Sequence, residues 1–169
     1  MTFQIGERVV YPNHGVAVIE NISARAFGSQ FERFYLLRIN ASRMTVMVPF
    51  SHVLDVGLRK VTKATEINKV LLFLATGKPK HCQDWKDRFK ENSDKMRFGS
   101  LLETAEVLKC LLILQKDKIL SFREKKMLDR ARHLLVSEVA IARQTNEIGA
   151  ISVLNDSLAK ATLKLPEPL

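Results

Sequence analysis

Cysteine is scarce in this chain, and its two copies, Cys82 and Cys110, sit in unlike settings, a polar linker and an apolar helical run. Such a pair suggests reduced thiols rather than a disulfide framework, which suits a cytosolic compartment. Long apolar runs are also missing. The longest, Val70–Ala75 and Cys110–Leu114, fall far short of the roughly 20 residues that span a bilayer. Met1–Arg8 has neither the basic start nor the apolar stretch of a signal peptide, so no membrane association is expected. Aromatic residues make up only 7% of the chain, with a single tryptophan, Trp85.

Signatures of catalysis are absent as well. There is no Walker A loop, dinucleotide fingerprint, nucleophile elbow or paired-histidine zinc helix. The four histidines, His14, His52, His81 and His133, are scattered. His81 and Cys82 are adjacent, too close for zinc-finger spacing, and no second pair joins them. No catalytic residue, metal or cofactor is expected, and the chain does not read as an enzyme.

What the chain has is charge of one sign. Lysine and arginine number 27 against 18 aspartate and glutamate, a net charge of +9 with a pI near 9.8. That balance favours attraction to a polyanion, most often nucleic acid. The length, 169 residues, suits one ordinary domain or two small ones.

Residues 1 to about 60 have the pattern of β structure. Short strands are expected at Arg8–Tyr11, Val16–Ile22, Glu32–Ile39 and Met44–Pro49, parted by the turn formers Pro12–Gly15, Phe27–Gln30 and Asn40–Arg43. Short strands with tight turns suggest a small, strongly bent barrel. Pro49, which has no amide to donate, places the last strand at or near an edge where another chain can pair.

The period changes after Lys60. Ile67, Val70, Leu71 and Leu74 line one face of a helix that Gly77 and Pro79 end. Trp85, Phe89 and Met96 share one side of a second helix, closed by Gly99. Ser100 with Glu103, and Ser121 with Glu124, have capping-box spacing and open a third and a fourth helix. Asn146–Leu163 forms a fifth, with Ile148, Ile151, Leu154 and Leu158 inward, and Pro166 and Pro168 end the ordered chain. The expected class is α+β: an N-terminal β module over 1–60 and a compact all-α domain of about five helices over 61–169.

Basic residues in the helical half form two concentrations. Between Lys78 and Arg97 seven cations face four carboxylates, and between Lys116 and Arg132 seven face three. Solvated helix faces would account for both. However, Arg123, Lys125 and Lys126 occupy the first turn of a helix, where cations oppose the macrodipole and an anion would compensate. Trp85 has two readings: a ring buried between helices, or, given its flanks Asp84 and Lys86 and its place at a helix start, a partly exposed one.

Several blocks carry a resemblance. Gly6-x-x-Val9-Val10-Tyr11-Pro12-x-His14-Gly15-Val16, then Glu32, Tyr35, Leu36 and Leu37, then Thr45-Val46-x-Val48-Pro49, resemble the N-terminal module of the CarD/CdnL transcription regulators. The first block is shared with transcription-repair coupling factors. Trp85-x-x-Arg88-Phe89-Lys90-x-Asn92, Leu120-Ser121-x-x-Glu124-Lys125-x-Met127-Leu128-x-x-Ala131-Arg132 and Glu138–Ala142 resemble the same family's helical domain, so the match runs over essentially the whole chain.

The resemblance implies a Tudor-like N-terminal barrel that pairs a strand edge with the β1 lobe of the bacterial RNA polymerase β subunit. Thr45, Val46, Met47, Val48 and Pro49 would form that edge, with Arg25 as a further contact. Some relatives carry arginine where this chain has Met47, so an apolar contact would replace a charged one. The resemblance further implies that the helical domain reaches promoter DNA near the upstream edge of the −10 element. Trp85 would enter the minor groove at the bubble edge, and Lys86, Arg88, Lys90 and Lys125 would face phosphates, with Arg123 and Arg132 as further candidates. The expected function is stabilisation of the open promoter complex by a monomer associated with the nucleoid through polymerase. The alternative is a polymerase- or protein-binding adaptor whose helical domain does not touch DNA.

Overall fold

A computed structural model describes residues 2–79 and 85–169, and for Phe27, Trp85 and Lys86 it describes the backbone alone. The chain divides into two compact units, Met1–Val61 and Thr62–Leu169.

The first unit is built on five antiparallel strands: β1 (Arg8–Tyr11), β2 (Gly15–Phe27), β3 (Gln30–Ile39), β4 (Thr45–Pro49) and β5 (Arg59–Lys60), in the spatial order β4-β3-β2-β1-β5. Alternation sorts the side chains: Tyr35, Leu37 and Ile39 of β3 point inward with Val9, Ala17, Ile19 and Val48 to form one core. A bulge between Ile19 and Asn21 raises the local twist and lets the sheet curve over that core. Tyr35 is fully buried. Its hydroxyl accepts from the Phe3 amide at 3.0 Å, and its ring stacks on Phe50 with centroids 4.2 Å apart. β4 ends the strand order, as Pro49 suggested.

Two features of this unit escaped the sequence pattern. A 3-10 turn at Phe50–His52 leads into a four-residue helix, α1 (Val53–Val56), which Gly57 closes in the left-handed region. A β-carbon at Gly57 would lie 3.2 Å from Pro12 Cγ, so both backbone angle and space favour glycine. β5 is only two residues long, below what alternation can reveal.

The second unit holds α2 (Ala64–Thr76), α3 (Trp85–Phe98), α4 (Leu101–Asp117), α5 (Phe122–Ala142) and α6 (Glu147–Ala159). Ile67, Val70 and Leu74 of α2 pack with Leu101, Leu108 and Leu111 of α4, Leu128, Leu135 and Val139 of α5, and Leu154 and Leu158 of α6. Polar groups close the helix ends. Lys109 of α4 is buried and donates to the Phe73 carbonyl at 2.9 Å and the Gly77 carbonyl at 2.6 Å, satisfying the last turn of α2 and complementing the negative end of its dipole. Burial holds its pKa below the ordinary lysine value. Glu138 of α5, also buried, accepts from the Thr62 amide and hydroxyl at the start of the unit.

Three expectations are corrected. The Ser100 capping box is complete, but at α5 only half forms: Ser121 accepts from the Glu124 amide, while the Glu124 carboxylate turns inward. Ile148 lies in the first turn of α6 and is 77% exposed, because Ala150 takes the inward position there. The fifth helix ends at Ala159, short of the expected Leu163, and contacts continue past Pro166 and Pro168. Leu163 and Leu165 enter the helical core, the Leu165 amide donates to Asn155 Oδ1 at 2.9 Å and the Leu169 amide to Asp129 Oδ1 at 3.1 Å.

The tail is thus part of the fold. Leu165→Ala is expected to lower the stability of the helical unit by about 2–5 kcal/mol, the usual range for deleting a buried leucine side chain. A denaturant midpoint matching the unaltered protein would show that the tail only rests on the surface.

Candidate functional site

The helix that begins at Trp85 is held by polar contacts more than by apolar ones. Along α3 the described buried residues are Arg88, Asn92 and Met96, at i, i+4 and i+8 on one face, and only Met96 is apolar. Arg88 is 7% exposed and Glu124 of α5 is 6% exposed; their charged groups lie 3.5 Å apart. Asn92 Nδ2 lies 4.0 Å from Cys110 Sγ on α4, and burial pushes that thiol's pKa up. Lys95 bridges Glu106 of α4 at 3.0 Å and Glu91 at 3.7 Å. Burial works against the Lys95 charge, but the hydrogen bond and charge of Glu106, helped by Glu91, hold its pKa above the usual value.

These contacts bring the first turns of α3 and α5 together. Beside the Arg88–Glu124 pair, the Arg123 guanidinium lies over the Phe89 ring at 4.3 Å from its centroid. The first turn of α3 therefore lies against the first turn of α5, whose Arg123, Lys125 and Lys126 are exposed. Lys90, one turn along α3, is exposed too. The side chains of Trp85 and Lys86, and Lys80, His81, Cys82, Gln83 and Asp84 entirely, lie outside the described residues.

Two of the residues assigned to phosphates are placed elsewhere. Arg88 is buried and its charge faces Glu124 rather than solvent, although its Nη2 and Glu124 Oε2 have no hydrogen-bond partner. Arg132 is 5% exposed, and its Nε and Nη1 have no hydrogen-bond partner. In these positions neither guanidinium presents a surface to a nucleic acid. Conversely, sequence reasoning passed over Ile119 and Phe122, which flank the α5 cap and stand exposed among cations. Their neighbour Leu120 is buried, so one apolar residue of this stretch fills the core and the other two stand outside it.

In the first unit, β4 leaves one edge unpaired by any described strand. Val46 packs on the core and Val48 is buried, so Thr45, Met47 and Pro49 point to the other face. Register puts Met47 opposite Leu36, Pro49 opposite Phe34 and Arg25 opposite Glu32. Leu36, Phe34 and Glu32 alternate along β3, so Arg25, Met47 and Pro49 share one sheet face, with the Arg25 and Met47 rows about 13 Å apart at a strand's rise per residue. Arg25 is exposed and Met47 half-buried.

The buried pair carries a clear expectation. Glu124→Ala should destabilise the helical unit by about 3–5 kcal/mol, because it leaves the Arg88 charge buried without its partner. Arg88→Met with Glu124→Leu together should recover most of that loss, and thermal unfolding monitored by circular dichroism distinguishes the two. Equal stability of all three proteins would mean that the pair is not buried in solution.

Comparison with known proteins agrees with this division. Residues 3–62 match the CarD-like/TRCF RID domain and residues 69–155 the CarD C-terminal domain. Over 145 residues, 86% of this chain and 95% of the relative, the chain is 37% identical to a Bacillus subtilis (strain 168) protein named "Putative transcription factor YdeB". With both domains matched in order and the relative aligned across nearly its full length, the chain belongs to the CarD family of transcription factors.

Proposed function

We propose that the protein bridges bacterial RNA polymerase and promoter DNA and raises the population of the open complex. The contact between the first turns of α3 and α5 is the observation that carries this reading, because it sets the helix beginning at Trp85 beside exposed cations. Lys90, Arg123 and Lys125, with Lys86, hold phosphates near the upstream edge of the −10 element. Trp85 enters the minor groove there and opposes collapse of the bubble. No base-specific contact is required.

The first unit supplies the tether. The free edge of β4, Thr45–Pro49, pairs with a strand of the polymerase β subunit's β1 lobe, and Met47 and Arg25 contact it from the shared sheet face. Met47 contributes apolar contact rather than charge. Attachment raises the local concentration of the helical unit at the promoter, so weak intrinsic affinity for DNA is enough. The wedge itself need contribute only about 1–2 kcal/mol, which changes an open-to-closed ratio roughly five- to thirtyfold.

A second reading, an adaptor whose helical unit does not touch DNA, gains from the burial of Arg88 and Arg132. It leaves the exposed cations at the start of α5 without a role, and so the bridging reading is preferred.

Trp85→Ala separates the two readings. The variant should bind polymerase as the unaltered protein does, while the open-complex lifetime measured after competitor challenge falls about five- to thirtyfold. Undiminished lifetimes would overturn the wedge. Met47→Glu should act in the opposite place, weakening capture of polymerase and leaving the helical unit's affinity for DNA unchanged. Equal capture of polymerase by Met47→Glu and unaltered protein would remove β4 from the interface.

A further inference from the structure

The junction of α4 and α5 exposes two large apolar side chains in a strongly basic part of the helical unit. Ile119 is 87% exposed and Phe122 is 70% exposed. Around them Lys116, Lys118, Arg123, Lys125 and Lys126 are exposed, against one exposed carboxylate in this stretch, Asp117. Glu124 is turned inward to Arg88 and does not offset them. Lys126 Nζ lies 4.7 Å from the centroid of the Phe122 ring, which still leaves most of the ring open to solvent.

Exposed apolar groups of this size ordinarily belong in a core or against a partner. Here the core position is already filled: Leu120, between them, is buried, and Phe122 at the first helical position points away from it. A partner that covers them must also accept the surrounding cations, of which Lys116 already donates to Thr162 Oγ1 at 2.9 Å. Nucleic acid satisfies both demands, since the minor groove lies between phosphate rows and its sugar walls and base steps receive apolar wedges.

We infer that Ile119 and Phe122 form a second apolar contact with promoter DNA, in the minor groove beside the phosphates held by Lys125. This inference rests on the bridging reading above and adds to it. The contacts of α3 with α5 set the first turn of α5, which begins with Phe122, against the first turn of α3. Gripping at two points would set the angle at which the tryptophan helix meets the groove. Phosphate contacts would supply the salt-dependent part of affinity, and Ile119 with Phe122 a part that salt does not screen.

The test uses the full chain and a short fluorescent duplex containing a pre-formed bubble, titrated by anisotropy at several salt concentrations starting near 50 mM. Three proteins are compared with the unaltered one: Ile119→Ser with Phe122→Ser, Phe122→Tyr alone, and Lys125→Ala. The serine pair should bind about tenfold more weakly, in the range of losing one aromatic contact to a nucleic acid, with an unchanged slope of log affinity against log salt. Phe122→Tyr should retain binding. Lys125→Ala should bind more weakly and lower the magnitude of the slope by about one. If the serine pair binds as tightly as the unaltered protein while Lys125→Ala is impaired, the inference falls and the DNA reading stands. If neither variant changes binding, or the unaltered protein does not bind at low salt, both fall. If the serine pair keeps its DNA affinity but loses capture of polymerase, the occupant is protein and the inference is overturned.

Discussion

A buried ion pair between Arg88 and Glu124 fixes how the helix beginning at Trp85 meets the helix carrying Lys125. The pair takes two charges out of water, which costs several kcal/mol per ion before their attraction offsets it, so it adds little net stability. What it supplies is position. α3 has Met96 as its one described apolar anchor, and without Arg88 facing Glu124 little would set the rotation of the helix about its axis. Glu124 gives up half of a capping box to make the contact, and Arg123 is left free to lie over Phe89. The candidate DNA-facing end of the molecule is arranged around that exchange.

The two units divide the work in different chemical terms. The first has a core sorted by strand alternation, with Arg25, Met47 and Pro49 left on one sheet face beside a strand edge that no described strand pairs. Such an edge is suited to backbone pairing with a partner strand, where side chains set specificity. The second has a larger apolar core and a basic end. In the proposed role, its contacts with DNA are individually weak and screened by salt, and attachment to polymerase makes them effective. Neither unit needs a pocket, a metal or a reactive side chain for the proposed function.

The sequence disclosed the order of modules because the hydrophobic period changes once, after Lys60. It also disclosed both serine caps, since Ser100 and Ser121 each stand three residues before a glutamate. It could not distinguish the two glutamates: Glu103 completes its box, whereas Glu124 is drawn inward by an arginine 36 positions earlier in the chain. For the same reason Arg88 and Arg132 resembled surface cations, because spacing along a helix does not reveal which polar residue a neighbouring helix will cover. β5 was too short to show a period, and Pro166 and Pro168 looked like the end of order, although the Leu169 amide beyond them still donates to Asp129. The fold was therefore more legible than the site. Local pattern determines the elements, while the site depends on contacts between residues far apart in the chain.

The central claim is that the helical unit holds the upstream edge of the promoter bubble open. It is tested most directly by the reactivity of unpaired thymines at that edge toward permanganate, followed in polymerase–promoter complexes after competitor challenge. With the protein present, reactivity at the upstream edge should persist several times longer than without it, and the downstream edge should close with it as one bubble. Decay at the same rate with and without the protein, in complexes shown to contain it, would contradict the account.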